Sequence, residues 1–447
     1  MTKTILAFFL FCFISVCAFA QSVPKAIDSL IGAYAKLNKF NGNIVVIKSG
    51  ETVFNGSYGF RDVEKGIKCN GNEIFQLASL SKTFTAVLTM KLIEEGKLSL
   101  NTRISDFFPV LHPEQKITVA QLLGHTSGIR EVLADSALRE KVFSGLKADR
   151  EELLQYFSSQ PLEFTPGSEF SYSNSGYDLL GMIIEKVTGM QYGEAVSKMI
   201  FRPLGMRSSG YDYSRLKSGL KTVGYEYLSS GRFVTAKIWD ESWTYASGGL
   251  YSSVGDLVKW NDALRHNKVI SSRALAECYT PGKGDYGYGW FIDSLYEKKI
   301  AYHPGNLEGA TSYFARIPQD DICIIMLTNQ TSTIIESIGS KIIAILNKKP
   351  YALPKPKQEI LVSTKTLTSY IGSYDISGSY ATSVDLISGN LYLSTANAVP
   401  VRLFAESQNR FFIADSNMTL TFNVGKDGKL SLTIKSGLST KIGGRLD

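Results

Sequence analysis

From Phe84 to Ile93 the chain places apolar side chains (Phe84, Ala86, Val87, Leu88, Met90, Leu92, Ile93) on nearly every side of a helix. A surface helix shows one apolar stripe, whereas one that is apolar nearly all round is buried in the fold. Gly96 supplies its stop. At its start stands Phe75-Gln-Leu-Ala-Ser79-Leu-Ser-Lys82. Residues three apart on a helix share a face, so a first-turn Ser79 has Lys82 beneath its hydroxyl. Burial penalises the charged form of a lysine and lowers its pKa. A neutral amine beside a serine is a general base beside a nucleophile. The same Ser-x-x-Lys spacing also begins at Ser22, Ser144, Ser214 and Ser218. Ser22 has Pro24 inside its motif, Ser144 and Ser218 are followed by glycine, and Ser214 lies in a polar stretch. By this reading only Ser79 is expected to have a helix to stand on.

The order of elements predicts an α+β fold. Gly42 to Phe60 alternates apolar and polar residues around Lys48-Ser-Gly-Glu51, the pattern of an antiparallel hairpin. Helical patterns dominate from Ser79 to about Ile200, followed by a Gly- and Tyr-punctuated stretch to about Gly284. Tyr286-Gly-Tyr-Gly-Trp290-Phe-Ile and Ile300-Ala-Tyr-His303 read as a second hairpin. Phe314 to Ile317 and Ile322 to Leu327 read as two more strands, and a helix from about Ser332 to Asn347 closes the unit. Strands, a mostly helical insertion, then strands and a helix suit an antiparallel sheet flanked by helices.

At Lys348 the texture changes. Lys348-Lys-Pro350-Tyr-Ala-Leu-Pro354-Lys-Pro356-Lys is a stiff, charged linker. Beyond it short strands recur between Gly, Asn and Asp turns: Val384 to Ile387, Leu391 to Ser394, Arg410 to Ile413, Leu420 to Val424 and Leu430 to Ile434. They read as a small all-β domain, a barrel or a sandwich. Residues 1–20, with Lys3, an apolar stretch from Ile5 to Cys17 and Ala18-Phe-Ala20, read as a secretory signal. The expected organisation is therefore a signal peptide at 1–20, an α+β domain at 21–347, a linker at 348–360 and a β domain at 361–447. The expected location is periplasmic or secreted, with no membrane span after signal cleavage.

Cysteine usage excludes a disulfide-built scaffold, because only Cys69, Cys278 and Cys323 follow the signal. His112, His125, His266 and His303 form no His-x-x-x-His pair and there is no Cys-x-x-Cys, so no metal and no cofactor are expected. The net charge of +7 is spread along the chain rather than clustered, which argues against a nucleic-acid partner. A small-molecule or peptide substrate remains the expected partner; the oligomeric state is left open.

Two further stretches carry chemistry, each with a plain structural alternative. In Phe170-Ser-Tyr172-Ser-Asn174-Ser-Gly-Tyr177, ahead of a helix read at Leu179 to Val187, Ser or Asn suits an N-cap and Tyr172 a core aromatic. The functional alternative makes Tyr172 a proton-relaying phenol and Asn174 an amide offered to a substrate carbonyl. In His303-Pro-Gly305-Asn306-Leu-Glu-Gly309 a strand simply ends at Pro and Gly. Alternatively substrate backbone lies against Gly305, a main-chain N–H there serves an oxyanion hole, and His303 forms a polar wall. Pro304 cannot donate to a ladder, which suits an edge facing open space.

Ser79-x-x-Lys82, Tyr172-x-Asn174 and His303-x-Gly305, in that order, resemble the serine β-lactamase and penicillin-binding-protein superfamily. The nearest branch is the one holding class C β-lactamases, D-alanyl-D-alanine carboxypeptidases and related esterases. Gln121-Leu-Leu-Gly-His125-Thr-Ser-Gly128, Ala246-Ser-Gly-Gly249 and Tyr286-Gly-Tyr-Gly-Trp290 agree, and the resemblance runs from about residue 28 to 345. The tail resembles the lipocalin-like domains appended to this branch. The resemblance implies a serine hydrolase in which Ser79 is acylated and Lys82 and Tyr172 share the acid–base work. It further implies that Asn174 holds substrate and that the N–H groups of Ser79 and Asn306 form an oxyanion hole, worth about 3 kcal/mol per donor. His303 stands where many relatives carry lysine, and His125 matches a family turn and is read as structural.

One residue departs from the pattern. Pro304 stands where many relatives have Thr or Ser, whose hydroxyl helps hold a substrate carboxylate. An uncharged ester, amide or peptide therefore fits better than penicillin or D-alanyl-D-alanine chemistry. The alternatives are a true carboxypeptidase or class C-type β-lactamase, and a protein of the same fold that binds penicillin or a partner without turnover.

Overall fold

The computed structural model describes residues 22–229, 232–356, 358–376, 382–395, 400–413, 418–436 and 439–446. The signal-peptide reading of residues 1–20 lies outside the described residues. The elements that position the site are α1 (Val23–Lys36), β1 (Gly42–Lys48), β2 (Glu51–Tyr58), α2 (Ser81–Glu94), α3 (Asn174–Thr188), α4 (Glu241–Gly248), β3 (Phe291–Leu295), β4 (Lys298–Leu307), β5 (Ala310–Ile317), β6 (Ile322–Thr328) and α5 (Ile335–Leu346).

The strands form a six-stranded antiparallel sheet ordered β3-β4-β5-β6-β1-β2. β1 pairs with β6 from Gly42↔Thr328 to Lys48↔Ile322, so the first hairpin of the chain completes a sheet begun by its last strands. Side chains alternate faces along a strand. Val45 and Ile47 of β1, with Cys323, Ile325 and Leu327 of β6, join one core. Ile44 and Val46, with Ile322, Ile324 and Met326, join the other. Both faces are covered, so Ile322 to Leu327 reads as a continuous apolar run, and Ile44 to Ile47 of β1 is apolar on both faces where an alternating pattern was expected. α1 and α5 cover one face; α2, α3 and the rest of the insertion cover the other. Each fully buried aliphatic side chain there contributes roughly 1.5–3 kcal/mol.

α2 is buried along almost its whole length, with Phe84 stacked on Trp260 at 4.3 Å between ring centroids. Among the described residues no helix is long and apolar enough to cross a membrane.

Several boundaries differ from those read in the sequence. Ser79 lies in a short 3-10 turn, Ala78–Leu80, and the α-helix begins only at Ser81. The helix read from Leu179 begins at Asn174, because its polar first turn carries no hydrophobic period. Tyr286 to Trp290 is not strand. Gly289 has φ +85°, and a Cβ there would stand 2.6 Å from the Ala86 Cβ and 2.9 Å from the Lys82 carbonyl oxygen. This segment therefore wraps against α2 and joins the ladder only at Phe291. β4 does not end at His303 but continues to Leu307, paired with β5 throughout.

The C-terminal strands close into an eight-stranded barrel rather than a sandwich. Its interior is filled by Tyr374, Val384, Leu391, Leu403, Phe411, Leu420, Phe422 and Leu432, with Tyr370 stacked on Phe422 at 4.2 Å. Three of its strands were not legible: Gly372–Tyr374, Val401–Ala405 and Ser439–Leu446. The last contains Gly443, where a Cβ would lie 2.1 Å from the Asp375 carbonyl oxygen. That close approach requires the residue that weakens a strand pattern.

Candidate active site

Ser79 is presented by backbone geometry before any side chain acts. The chain reaches it along Phe75–Gln76, paired with Tyr251 and Ser252, and Leu77 N–H donates to the Leu250 carbonyl at 2.9 Å. Ala78 then adopts φ 49°, the left-handed region, which costs a residue with a Cβ about 1–2 kcal/mol. The turn's own hydrogen bonding begins at Leu80 N–H to Leu77 O, which leaves Ser79 N–H among the orphan donors of a helix start. β4 presses on this turn from outside. A Cβ on Gly305 would stand 2.1 Å from Leu77 O and 3.0 Å from Leu80 N. The room made by Gly305 thus holds the turn that carries Ser79. Ser312 Oγ donates to the same Leu77 oxygen at 2.6 Å.

Lys82 is fully buried beneath Ser79. Its Nζ donates to Asn174 Oδ1 at 2.7 Å, to the Ser247 carbonyl at 2.8 Å and lies 3.1 Å from Ser79 Oγ. The Ser247 carbonyl reaches α2 because α4 is kinked at Tyr245, whose φ 23° and ψ −126° are non-helical. The kink turns two successive carbonyls inward. Ala246 O accepts from Thr85 Oγ1 at 2.6 Å and Ser247 O from Lys82. Gly181 of α3 makes the crossing possible, since a Cβ there would be 2.5 Å from the Ala246 Cβ. The Ala246-Ser-Gly-Gly249 stretch is therefore part of the lysine's cage.

Burial pushes Lys82 down to about 7, opposed by the carboxylates of Asp178 and Glu131. Asp178 lies one turn along α3 and accepts from Ser247 N–H at 3.3 Å; burial pushes its carboxyl up, opposed by Arg150. A neutral lysine has two N–H donors and one lone pair. Asn174 Oδ1 and Ser247 O are acceptors only and hold the shorter contacts. They take both donors, and the lone pair faces the Ser79 hydroxyl. Burial raises the pKa of the Tyr172 phenol, opposed by its interaction with Ser79, so it keeps its proton at neutral pH. Its ring passes 4.9 Å from Lys82 Nζ.

Glu131 is the site residue that sequence reasoning missed. Its Oε2 accepts from the backbone N–H of Asn174 at 2.6 Å, and its Oε1 from Asn174 Nδ2 at 3.3 Å. It stands in an irregular segment 43 residues ahead of Asn174, and no local pattern marks it.

His303 is buried, and its protonation follows from its partners. Nδ1 lies 2.6 Å from the Pro304 carbonyl, which only accepts, so Nδ1 carries the hydrogen. Nε2, 3.0 Å from Tyr286 OH, then accepts. Burial and the Lys82 charge push this imidazole down to about 3. It is a neutral group where a cation is the common alternative. His125 accepts from Ser173 N–H through Nδ1 at 3.1 Å and packs its ring against Tyr172 at 4.3 Å. Asn306 is exposed next to Gly305 on β4. β3 pairs with β4 only as far as Tyr302, so the 303–306 segment is open on that side.

A buried lysine under a serine, on a turn clamped between an antiparallel sheet and a helical insertion, defines a serine hydrolase fold of the penicillin-binding type. The sequence model of the beta-lactamase family matches residues 27–337, and the chain belongs to that family. It is 27% identical over 445 residues to penicillin-binding protein 4* of Bacillus subtilis, covering 93% of this chain and 97% of that one. The octameric penicillin-binding protein homologue from Pyrococcus abyssi superposes with a TM-score of 0.65 at 26% identity, covering 94% of this chain and all of that one. A D-stereospecific amidohydrolase from Streptomyces sp. superposes with a TM-score of 0.60 at 27% identity, covering 68% and 94%.

Proposed function

We propose that this protein is a secreted or periplasmic serine hydrolase that works through an acyl-enzyme on an ester, amide or peptide lacking a carboxylate beside the scissile bond. The observation that carries the reading is the saturation of Lys82 by two acceptors, which leaves its lone pair for Ser79. Ser79 Oγ attacks the carbonyl carbon while its proton passes to Lys82, directly or through Tyr172. The resulting oxyanion sits between the N–H groups of Ser79 and Asn306. Collapse breaks the bond to the leaving group, which takes the proton back, and Asn174 holds the acyl portion. Water then attacks the acyl-enzyme, its proton going to the same base, and releases acid and free Ser79.

Neutral His303 and Pro304 support the uncharged substrate, since neither supplies a cation or a hydroxyl for a carboxylate. The similarity to an amidohydrolase is in keeping with an amide. The leader-like pattern read at residues 1–20 supports export.

The test is incubation with a p-nitrophenyl ester and, separately, a fluorescent penicillin, followed by peptide mass spectrometry. We expect ester turnover and an adduct on Ser79, both lost in Ser79→Ala. Turnover in Ser79→Ala within tenfold of the parent, or no adduct and no turnover in the parent, overturns the reading.

A further inference from the structure

The start of α3 is capped from a distance. Ser173 occupies the N-cap position but makes no side-chain cap bond. Glu131 does this instead. Its Oε2 accepts from Asn174 N–H at 2.6 Å and from Ser175 N–H at 3.5 Å. Its Oε1 accepts from Asn174 Nδ2 at 3.3 Å and from Leu133 N–H at 3.3 Å. An anion at a helix N-terminus is favoured by the orphan N–H groups and the helix dipole. The chemical consequence lies in the second contact. An asparagine amide has one oxygen and one NH2 that are nearly the same shape, and its hydrogen bonds choose its orientation. With Nδ2 held by a carboxylate, Oδ1 is the atom left to face Lys82.

We infer that Glu131 is a positioning residue: it fixes the Asn174 amide so that Oδ1 meets Lys82. For the acyl transfer itself this rests on the function proposed above. A glutamine cannot replace the carboxylate. It offers one accepting oxygen, so Asn174 N–H or Nδ2 is left facing another N–H, and the Asn174 amide is free to turn.

The direction of the effect follows from the groups around Lys82. Asp178 and Glu131 favour its charged form. The neutral rings of Tyr172 and Tyr177 lie beside it, at 4.9 and 5.6 Å from Nζ. His125 and His303 are held neutral near it, and Arg150 acts on Asp178. Removing the Glu131 charge leaves Asp178 as the remaining carboxylate and moves Lys82 further down. A turned Asn174 amide, presenting NH2 to the lysine, acts in the same direction.

The experiment compares the parent with Glu131→Gln and Glu131→Asp by two readouts. One is the titration of Lys82 by NMR of protein carrying 13C-labelled lysine, assigned with Lys82→Met. The other is the pH profile of kcat/KM on the p-nitrophenyl ester. In Glu131→Gln we expect the lysine titration and the acid limb to move down together by about half a pH unit or more, with kcat reduced about tenfold. In Glu131→Asp the charge is kept but the reach is shorter, so kcat falls while the titration stays nearer the parent. A folded Glu131→Gln that melts lower but keeps the parent's lysine titration and pH profile shows only a helix cap and overturns the inference. Where Glu131→Gln does not fold, parent-level kcat in Glu131→Asp overturns it. A parent that neither turns over ester nor labels at Ser79 overturns the proposed function alone, since the lysine titration still decides the part played by Glu131.

Discussion

Asn174 Oδ1 accepts from Lys82 Nζ at 2.7 Å, joining two helices whose contact residues are 92 apart in the chain. The bond makes the lysine's state a property of the fold. With Ser247 O it uses both donors of a neutral amine and turns the remaining lone pair toward Ser79. Each partner arrives from a different element: α2, the start of α3 and the kink of α4.

The rate should therefore follow the ionisation of Lys82. Its conjugate acid is held near 7 by burial, and only the neutral form takes the serine proton. kcat/KM is expected to fall as pH drops below about 7, reaching roughly a hundredfold loss two units lower. His303 does not contribute in that range, since it titrates at about 3. Lys82→Arg, which stays charged at every accessible pH, should be inactive throughout. Stopped-flow kinetics on a neutral ester give the profile; a flat profile from pH 5 to 8 would remove Lys82 as the base.

Gly305→Ala tests the clamp on the turn that carries Ser79. The new Cβ would meet Leu77 O at 2.1 Å and Leu80 N at 3.0 Å, both backbone atoms. Neither can rotate away, so the turn bearing Ser79 must shift. Overpacking of this kind costs about 1–3 kcal/mol, and misplacement of a nucleophile lowers kcat more than it alters KM. The expected variant melts lower and loses at least about tenfold in kcat. Parent-like melting and turnover would show that β4 does not hold the turn.

The serine–lysine pair and the sheet were legible because both are local or periodic. Ser79 and Lys82 share one helix start, β1 and β2 show as a hairpin around Lys48-Ser-Gly-Glu51, and β6 shows as an apolar run. The rest of the site depends on approach between distant segments. Glu131 acts on Asn174 from an irregular loop. The Tyr245 kink, which delivers the Ser247 carbonyl, has no marker beyond the glycines that follow it. Gly305 was legible as a residue of interest but not as the seat of Leu77, because that contact exists only once β4 lies against the Ala78–Leu80 turn. Barrel strands were missed where a tight approach, as at Gly443, replaces a side chain that would have declared the pattern.

Pro304→Thr tests the charge preference proposed for the cleft. Pro304 sits opposite Tyr313 on β5, and no β3 residue pairs with it on the other side. A threonine restores a hydroxyl on the open edge without removing a bond that proline makes to the ladder. A hydrogen bond to a carboxylate contributes roughly 1.5–3 kcal/mol, so acylation by benzylpenicillin should rise about tenfold or more. Turnover of a neutral ester should stay within about threefold of the parent. If penicillin acylation is unchanged, Pro304 does not govern how the cleft responds to a carboxylate.

The neutrality of His303 has its own consequence for stability. In the fold it releases its proton at about 3, against an ordinary value of 6.5. Between those limits the unfolded chain binds more protons than the native one. Stability therefore rises with pH through that window, and this contribution is lost as pH falls from 6.5 toward 3. From pH 6.5 to 5 the loss from this one group is about 1.6 kcal/mol. His303→Gln retains an acceptor for Tyr286 and a donor for the Pro304 carbonyl but has no proton to bind. Urea unfolding at both pH values should show the parent losing more stability on acidification than the variant, by about that amount. Equal losses would mean that the folded protein accommodates a charged His303. The cleft would then hold a cation after all, and the proposed preference for uncharged substrates would lose one of its two supports.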